Sequence, residues 1–142
     1  MRSIVIVLVS ALSLSACGQN KEAASTNQET EGTTAVVNAT ITIDEAEAKL
    51  ENPEVLILDV RTPKEFSQGH IEGAKNINVL DNNSFYDKVA ELSQNQAVVV
   101  YCRSGSRSAK AQAIMVEQGF TETYNVRGGI MAWQAKGKKV VK

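Results

Sequence analysis

Ligands for a transition metal are nearly missing from this sequence. Its two cysteines, Cys17 and Cys102, stand far apart and His70 is the only histidine, so no Cys/His cluster exists to hold an ion. Positive charge is not concentrated either. The formal net charge is −1 and no basic stripe runs along the chain, which excludes the electrostatic footprint of nucleic-acid binding. Lys136, Lys138, Lys139 and Lys142 read as a solvated terminus. A membrane-spanning helix needs ~20 apolar residues, and the apolar stretch Ile4–Leu14 falls well short of that. Aromatic residues are absent from Gly18 to Asn38, where Gln, Asn, Thr, Glu, Ala and Ser dominate. Such a segment cannot bury enough apolar surface to offset the entropy of ordering, so it reads as a tether.

What precedes the tether reads as an export signal, with a positive charge at Arg2 followed by the short apolar stretch. The stretch closes in Leu14-Ser15-Ala16-Cys17, which resembles the lipobox of bacterial lipoprotein signal peptides. That resemblance implies cleavage before Cys17 and attachment of a diacylglycerol to its sulfur. The expected organisation is a signal peptide at 1–16, lipidated Cys17 with its tether at 17–38, and a folded domain at 39–142. The domain would then sit in the cell envelope, outside the cytoplasm, with inner or outer membrane left open. Two other readings of Cys17 are an ordinary signal peptide and a disulfide with Cys102. If Cys17 carries lipid, Cys102 is an unpaired thiol in an oxidising compartment, which favours a reactive role over a structural one.

From Ala39 onward, helix-like and strand-like patterns alternate. Thr42-Ile43-Asp44-Glu45 is a capping box that starts a helix keeping Ala46, Ala48 and Leu50 inward and ending near Asn52-Pro53. Val55–Val60 is a continuous apolar run of the kind found in strands covered on both faces. Thr62-Pro63-Lys64-Glu65 repeats the helix-start chemistry, with proline at the first helical position and Gly69 as the stop. Ala74–Asn78 is a weak strand, and Phe85, Val89 and Leu92 share one helical face. A strand then ends at Tyr101. Ser106–Gln118 reads as a helix with Ala109, Ala113, Ile114 and Val116 inward, Thr123–Val126 as a strand, and Ile130–Lys136 as a helix carrying Trp133. This alternation predicts one α/β domain: a parallel sheet with helices on both faces and its site beyond the carboxyl ends of the strands.

Cys102 lies at such an end. It closes the run Val98-Val99-Val100-Tyr101 and opens Arg103-Ser104-Gly105-Ser106-Arg107-Ser108, a tight polar loop leading into a helix. Backbone N–H groups of such a loop can turn toward the sulfur, and the helix N-terminus adds partial positive charge to that of Arg103 and Arg107. The thiolate is therefore favoured, and Cys102 is expected to be a nucleophile near neutral pH.

Leu58-Asp59-Val60-Arg61 through Phe66, Gly69-His70-Ile71-Glu72-Gly73-Ala74, Val100 through Ser108, and Gly128-Gly129 with Trp133 together resemble a single-domain rhodanese. The resemblance spans essentially the whole folded part. It implies a rhodanese-like fold with a parallel central sheet of about five strands, and a sulfurtransferase cycle that needs neither metal nor cofactor. In that cycle Cys102 takes a sulfane sulfur from a small anionic donor such as thiosulfate and holds it as a persulfide. A thiol or cyanide then accepts it. Arg103, Ser104, Gly105, Ser106 and Arg107 match the loop whose amides surround the persulfide. Phosphatases of the same scaffold carry a longer loop, whereas only four residues separate Cys102 from Arg107. A non-catalytic binding module or a sulfur carrier is the alternative reading.

Asp59 and Arg61 read as residues that orient loops beside the site rather than touching substrate. His70 reads as a loop-packing residue, since an ionised cysteine needs no general base, and Trp133 and Phe66 as core. Arg107 is expected to face the anion and Arg103 to line the entrance. Ser104, Ser106 and Ser108 offer hydroxyl donors to the loop, though their small size in a tight turn suffices to explain them.

Overall fold

The computed structural model describes residues 35–142. The expected signal peptide, Cys17 and all of the tether up to residue 34 lie outside the described residues. Ten elements follow in order: β1 (Val37–Ile41), α1 (Ile43–Leu50), β2 (Leu56–Asp59), α2 (Pro63–Ser67), β3 (Lys75–Asn76), α3 (Asn82–Ala90), β4 (Val98–Tyr101), α4 (Ser106–Glu117), β5 (Glu122–Val126) and α5 (Gly129–Ala135). The five strands form one parallel sheet in the order β1-β5-β4-β2-β3.

Strand β1 corrects the expected boundary, because Val37 and Asn38 belong to the sheet and not to the tether. Only Ile41 of this edge strand is buried. Its place comes from backbone pairing with β5, Val37 opposite Glu122 through Ile41 opposite Val126, which no apolar pattern announces. At the other edge β3 is only two residues long, shorter than the run expected there.

All four residues of β4 are fully buried, as expected of the central strand of a sheet covered on both faces. Its alternation divides the core. Val98 and Val100 point into a cluster with Phe85, Val89, Ala111, Ile114, Met115 and Phe120, which α3 and α4 cover. Val99 and Tyr101 point into a second cluster with Ile43, Ala46, Ile130 and Trp133, which α1 and α5 cover. Burying each such valine contributes about 1.5 kcal/mol or more. Period-two alternation carries Cys102 onto the same side as Val98 and Val100, the side of α4. The chain leaves neighbouring β2 toward β3 and neighbouring β4 toward β5, in opposite directions along the sheet. A crevice opens beyond the carboxyl ends of such a strand pair.

The rotation of two helices differs from the apolar pattern. In α4 the buried residues are Ser108, Ala111, Gln112, Ile114 and Met115, while Ala109 and Ala113 face solvent. Hydrogen bonding sets this rotation: the Gln112 side-chain amide donates to the carbonyls of Ala39 and Thr123, each at 3.0 Å, tying α4 to β1 and β5. In α1, Ile43 and Ala46 are buried and Ala48 is exposed.

Candidate active site

The loop after β4 wraps the Cys102 sulfur. Gly105 takes φ 108°, a left-handed conformation open to glycine that a side chain would strain. This turn aims the Gly105 N–H at Cys102 Sγ, 3.1 Å away. Ser108, in the first turn of α4, brings its Oγ to 3.4 Å from the same sulfur. That hydroxyl also lies 3.1 Å from the Gly105 carbonyl and 2.7 Å from Asn125 Oδ1. With one proton it donates to one acceptor at a time, and negative charge on the sulfur draws it there.

Burial is the largest single influence on the thiol, which is only 1% exposed, and it pushes the pKa up. The Ser108 hydroxyl and the N–H groups of Ser108, Gly105 and Ser104 act the other way and together outweigh burial, holding the pKa below the ordinary thiol value. The cradle favours an anion at the sulfur.

Helix α5 closes the cradle from outside. Its first N–H groups donate to the loop, Ile130 to the Cys102 carbonyl at 2.9 Å and Met131 to the Arg103 carbonyl at 3.2 Å. Gly129 makes this approach possible. A β-carbon there would sit on the Cys102 carbonyl oxygen and 2.7 Å from that of Arg103.

Two ion pairs brace the surroundings. The Asp59 carboxylate is fully buried and accepts from the Arg61 backbone N–H at 2.9 Å and from Arg61 Nη2 at 2.6 Å. Arg61 Nη2 also donates to the Gly69 carbonyl at 2.7 Å. The pair ties the end of β2 to the Gly69 loop, and Arg61 also lines the cleft. Arg107 differs from expectation. Its guanidinium forks onto Glu65, Nη1 to Oε2 at 2.8 Å and Nη2 to Oε1 at 2.7 Å, so both arms are committed to a carboxylate. Glu65 is also the closing residue of the α2 capping box, accepting from Thr62 N–H and Oγ. Arg107 and the Thr62 bonds hold its carboxyl down at about 2. An anion at the loop therefore meets amides and a serine hydroxyl, with Arg107 as a brace.

A cleft of about 470 Å³ opens beside the Cys102 loop at Arg103, lined by Arg61, Glu65, Gln68 and Gly69 from the stretch around α2 and by Arg103, Ile130, Met131 and Gln134. Arg103 is exposed and lines this cleft. Ser104 and Ser106 are exposed, and the first contributes its backbone N–H rather than its hydroxyl. His70 packs: its ring stacks on Phe66 with centroids 3.7 Å apart, and Nδ1 lies 3.1 Å from the Phe66 carbonyl. Trp133 is buried, whereas Phe66 is only half-buried, its face given to the histidine instead of the core. The sequence explains Ser108 by its small size before its role as a sulfur ligand, and it does not single out Asn125 beneath it or Glu65 as the partner of Arg107. A polar Asn125 next to Val126 at the end of a buried strand was the available signal for the second. Nothing local announces the third, because the pair is 42 residues apart.

A central parallel strand that delivers a buried thiol into a ring of amide donors defines an α/β protein built to stabilise an anionic sulfur. A family model described as a rhodanese-like domain matches residues 42–136, and the chain belongs to that family. A protein named sulfurtransferase from Allochromatium vinosum is 38% identical over 91 residues, covering 64% of this chain and 82% of that one. The thiosulfate sulfurtransferase GlpE of Stutzerimonas stutzeri is 36% identical over 85 residues, covering 60% and 75%. Among solved structures, a rhodanese-like domain protein from Staphylococcus aureus matches with a TM-score of 0.62 and 33% identity, covering 73% of this chain and 99% of that one.

Proposed function

We propose that this domain is a sulfurtransferase that carries a sulfane sulfur on Cys102, taken from a small anionic donor such as thiosulfate and passed to a thiol or cyanide. The observation that carries the reading is the cradle: a buried sulfur with the Gly105 N–H at 3.1 Å and Ser108 Oγ at 3.4 Å. The Cys102 thiolate attacks the outer sulfur of thiosulfate, an S–S bond forms, and the original S–S bond breaks with its electron pair leaving on sulfite. The terminal sulfur of the Cys102 persulfide retains one negative charge. Acceptor thiolate or cyanide then attacks that sulfur, the bond to Cys102 breaks, and the thiolate returns as the acceptor leaves as a persulfide or thiocyanate. Fixed donors stabilise negative charge in both steps without reorganising.

Arg103 supplies cationic attraction at the entrance and Arg107 braces the loop through Glu65. The commitment of Arg107 weighs against phosphoryl transfer, which needs charge and donors around three phosphate oxygens. After incubation with thiosulfate, mass spectrometry of the intact domain is expected to find one added sulfur atom, and none in the Cys102→Ser variant. Absence of the adduct with several sulfane donors would remove the reading.

The reading extends to location through Cys17: lipid on this residue would tether the domain to a membrane of the bacterial envelope, outside the cytoplasm. What supports this is the lipobox-like Leu14-Ser15-Ala16-Cys17 after an apolar stretch too short to span. Labelled fatty acid should enter the wild-type protein and not the Cys17→Ser variant. Equal partition of both into the soluble fraction would exclude the anchor.

A further inference from the structure

We propose that segment 138–141 is a clasp that sets the gap between the two walls of the cleft, and so selects substrates of Cys102 by size. The walls come from separate parts of the chain: Arg61, Glu65, Gln68 and Gly69 belong to the stretch around α2, and Ile130, Met131 and Gln134 to α5. The first turn of α5 is held by the carbonyls of the Cys102 loop. Its last turn runs into the clasp, where the Lys138 N–H donates to the Trp133 carbonyl at 3.2 Å and the Trp133 indole N–H donates back to the Lys139 carbonyl at 3.0 Å.

Two residues further on, the same segment grips the opposite wall. The N–H of His70 donates to the Val141 carbonyl and the N–H of Val141 to the His70 carbonyl, both at 2.8 Å, an isolated antiparallel bridge. Val140 lies against Gly69, close enough that a β-carbon there would touch its Cγ2 at 3.6 Å. The Gly69 carbonyl in turn holds Arg61 Nη2 at 2.7 Å, so the clasp continues through backbone to a guanidinium that lines the cleft. Outward-facing ion pairs, Lys138 to Glu47 and Lys139 to Glu72, lay the segment along the domain surface. The family match ends at Lys136, before this segment begins. One short stretch is thereby bonded to both walls of the cleft, beside the Glu65–Arg107 pair and the core packing of Ile71 with Ile130 and Trp133 that also hold them.

The inference rests on the sulfur-transfer reading only for the identity of the substrates, so its test has one arm that needs no sulfur donor. Val141→Pro removes the N–H that meets His70, and Trp133→Phe removes the indole donor at the other end. Rates of Cys102 alkylation by iodoacetamide and by N-pyrenylmaleimide are compared in each variant, with folding checked by circular dichroism. Persulfide formation from thiosulfate and from benzenethiosulfonate is compared in parallel. The bulky reagent is expected to gain on the small one by about three- to tenfold, the scale of one lost hydrogen bond. General loosening of the fold would raise both alkylation rates alike, and an unchanged ratio in either folded variant overturns the proposal. A shifted alkylation ratio in a protein that takes sulfur from neither donor would uphold the clasp while removing the sulfur-transfer reading.

Discussion

Helices α2 and α4 both begin beside the site, yet their first turns are finished in opposite ways. Helix α2 is closed by its own side chains: Thr62 Oγ accepts from the Glu65 N–H, Glu65 returns the bond to the Thr62 N–H, and Pro63 removes a donor from the first turn. Helix α4 begins at Gly105 in a left-handed conformation, with no side chain capping it. Its amides turn to the Cys102 sulfur instead. A helix start leaves several N–H groups without partners, and what satisfies them separates a structural start from a working one. The two are also joined, because the glutamate that closes the α2 box forks onto Arg107 of α4.

The severest way to break the contrast is to crowd the open start. Gly129 has φ 55° and lies where any β-carbon strikes the Cys102 carbonyl, so Gly129→Ala has to displace α5 or the loop. The expected loss is about 3 kcal/mol or more, read by urea unfolding, together with a slower Cys102 alkylation at neutral pH. Wild-type stability and reactivity in this variant would show that α5 does not shape the cradle.

Next in size is the link itself. Glu65→Gln keeps part of the cap but cannot hold Arg107 as an ion pair, and the pair is about three-quarters buried. The expected cost is about 2 kcal/mol at neutral pH. Its pH dependence has a definite sign. The folded carboxyl titrates at about 2 and the free one at 4.5, so the folded state holds the ionised form more strongly. This stabilisation is complete above the free value and is lost as pH falls toward the folded one. The stability gap between wild type and Glu65→Gln should therefore narrow as pH drops below 4.5, and a gap that widened would contradict the pairing.

The contrast between the two starts also sorts what could be seen in the sequence. Both capping boxes were legible because Thr42 with Glu45 and Thr62 with Glu65 act within one turn. The Cys102 cradle was legible for the same reason: strand, loop and helix are contiguous. Interactions that span the chain were not. Edge strand β1 forms through backbone bonds to β5 and buries almost nothing, so its alternation of small and polar residues resembled the tether. Helix α4 turns polar Ser108 and Gln112 inward because the sulfur and two strand carbonyls need donors, and an apolar-face reading puts Ala109 and Ala113 there instead. Loop position points Arg107 at the anion, and nothing near it in sequence announces its partner Glu65, 42 residues away.

A smaller change sharpens the comparison at the sulfur. Ser108→Ala removes the hydroxyl nearest to Sγ and leaves the backbone amides in place, so the Cys102 pKa should move up toward the ordinary thiol value. The pH profile of alkylation reads this directly. Asn125 Oδ1 loses its 2.7 Å partner in the same variant, which adds about 1 kcal/mol of instability. A profile that stays where it was would assign the whole effect to the amides.

The least disruptive test compares two caps of the same chemistry. Thr42→Ala and Thr62→Ala each remove a threonine side chain from a capping box and should each cost about 1 kcal/mol. Their effects on Cys102 should part. Glu45 bonds only within its own box among the described hydrogen bonds, so Thr42→Ala is expected to leave alkylation and sulfur transfer unchanged. Glu65 Oε2 accepts from Thr62 N–H, Thr62 Oγ and Arg107 Nη1 together, so loss of the Thr62 hydroxyl frees that oxygen to shift with Arg107. Thr62→Ala should thus change the rate at Cys102 by a small factor, and matching kinetics in the two variants would mean that the Glu65 link holds position without transmitting it.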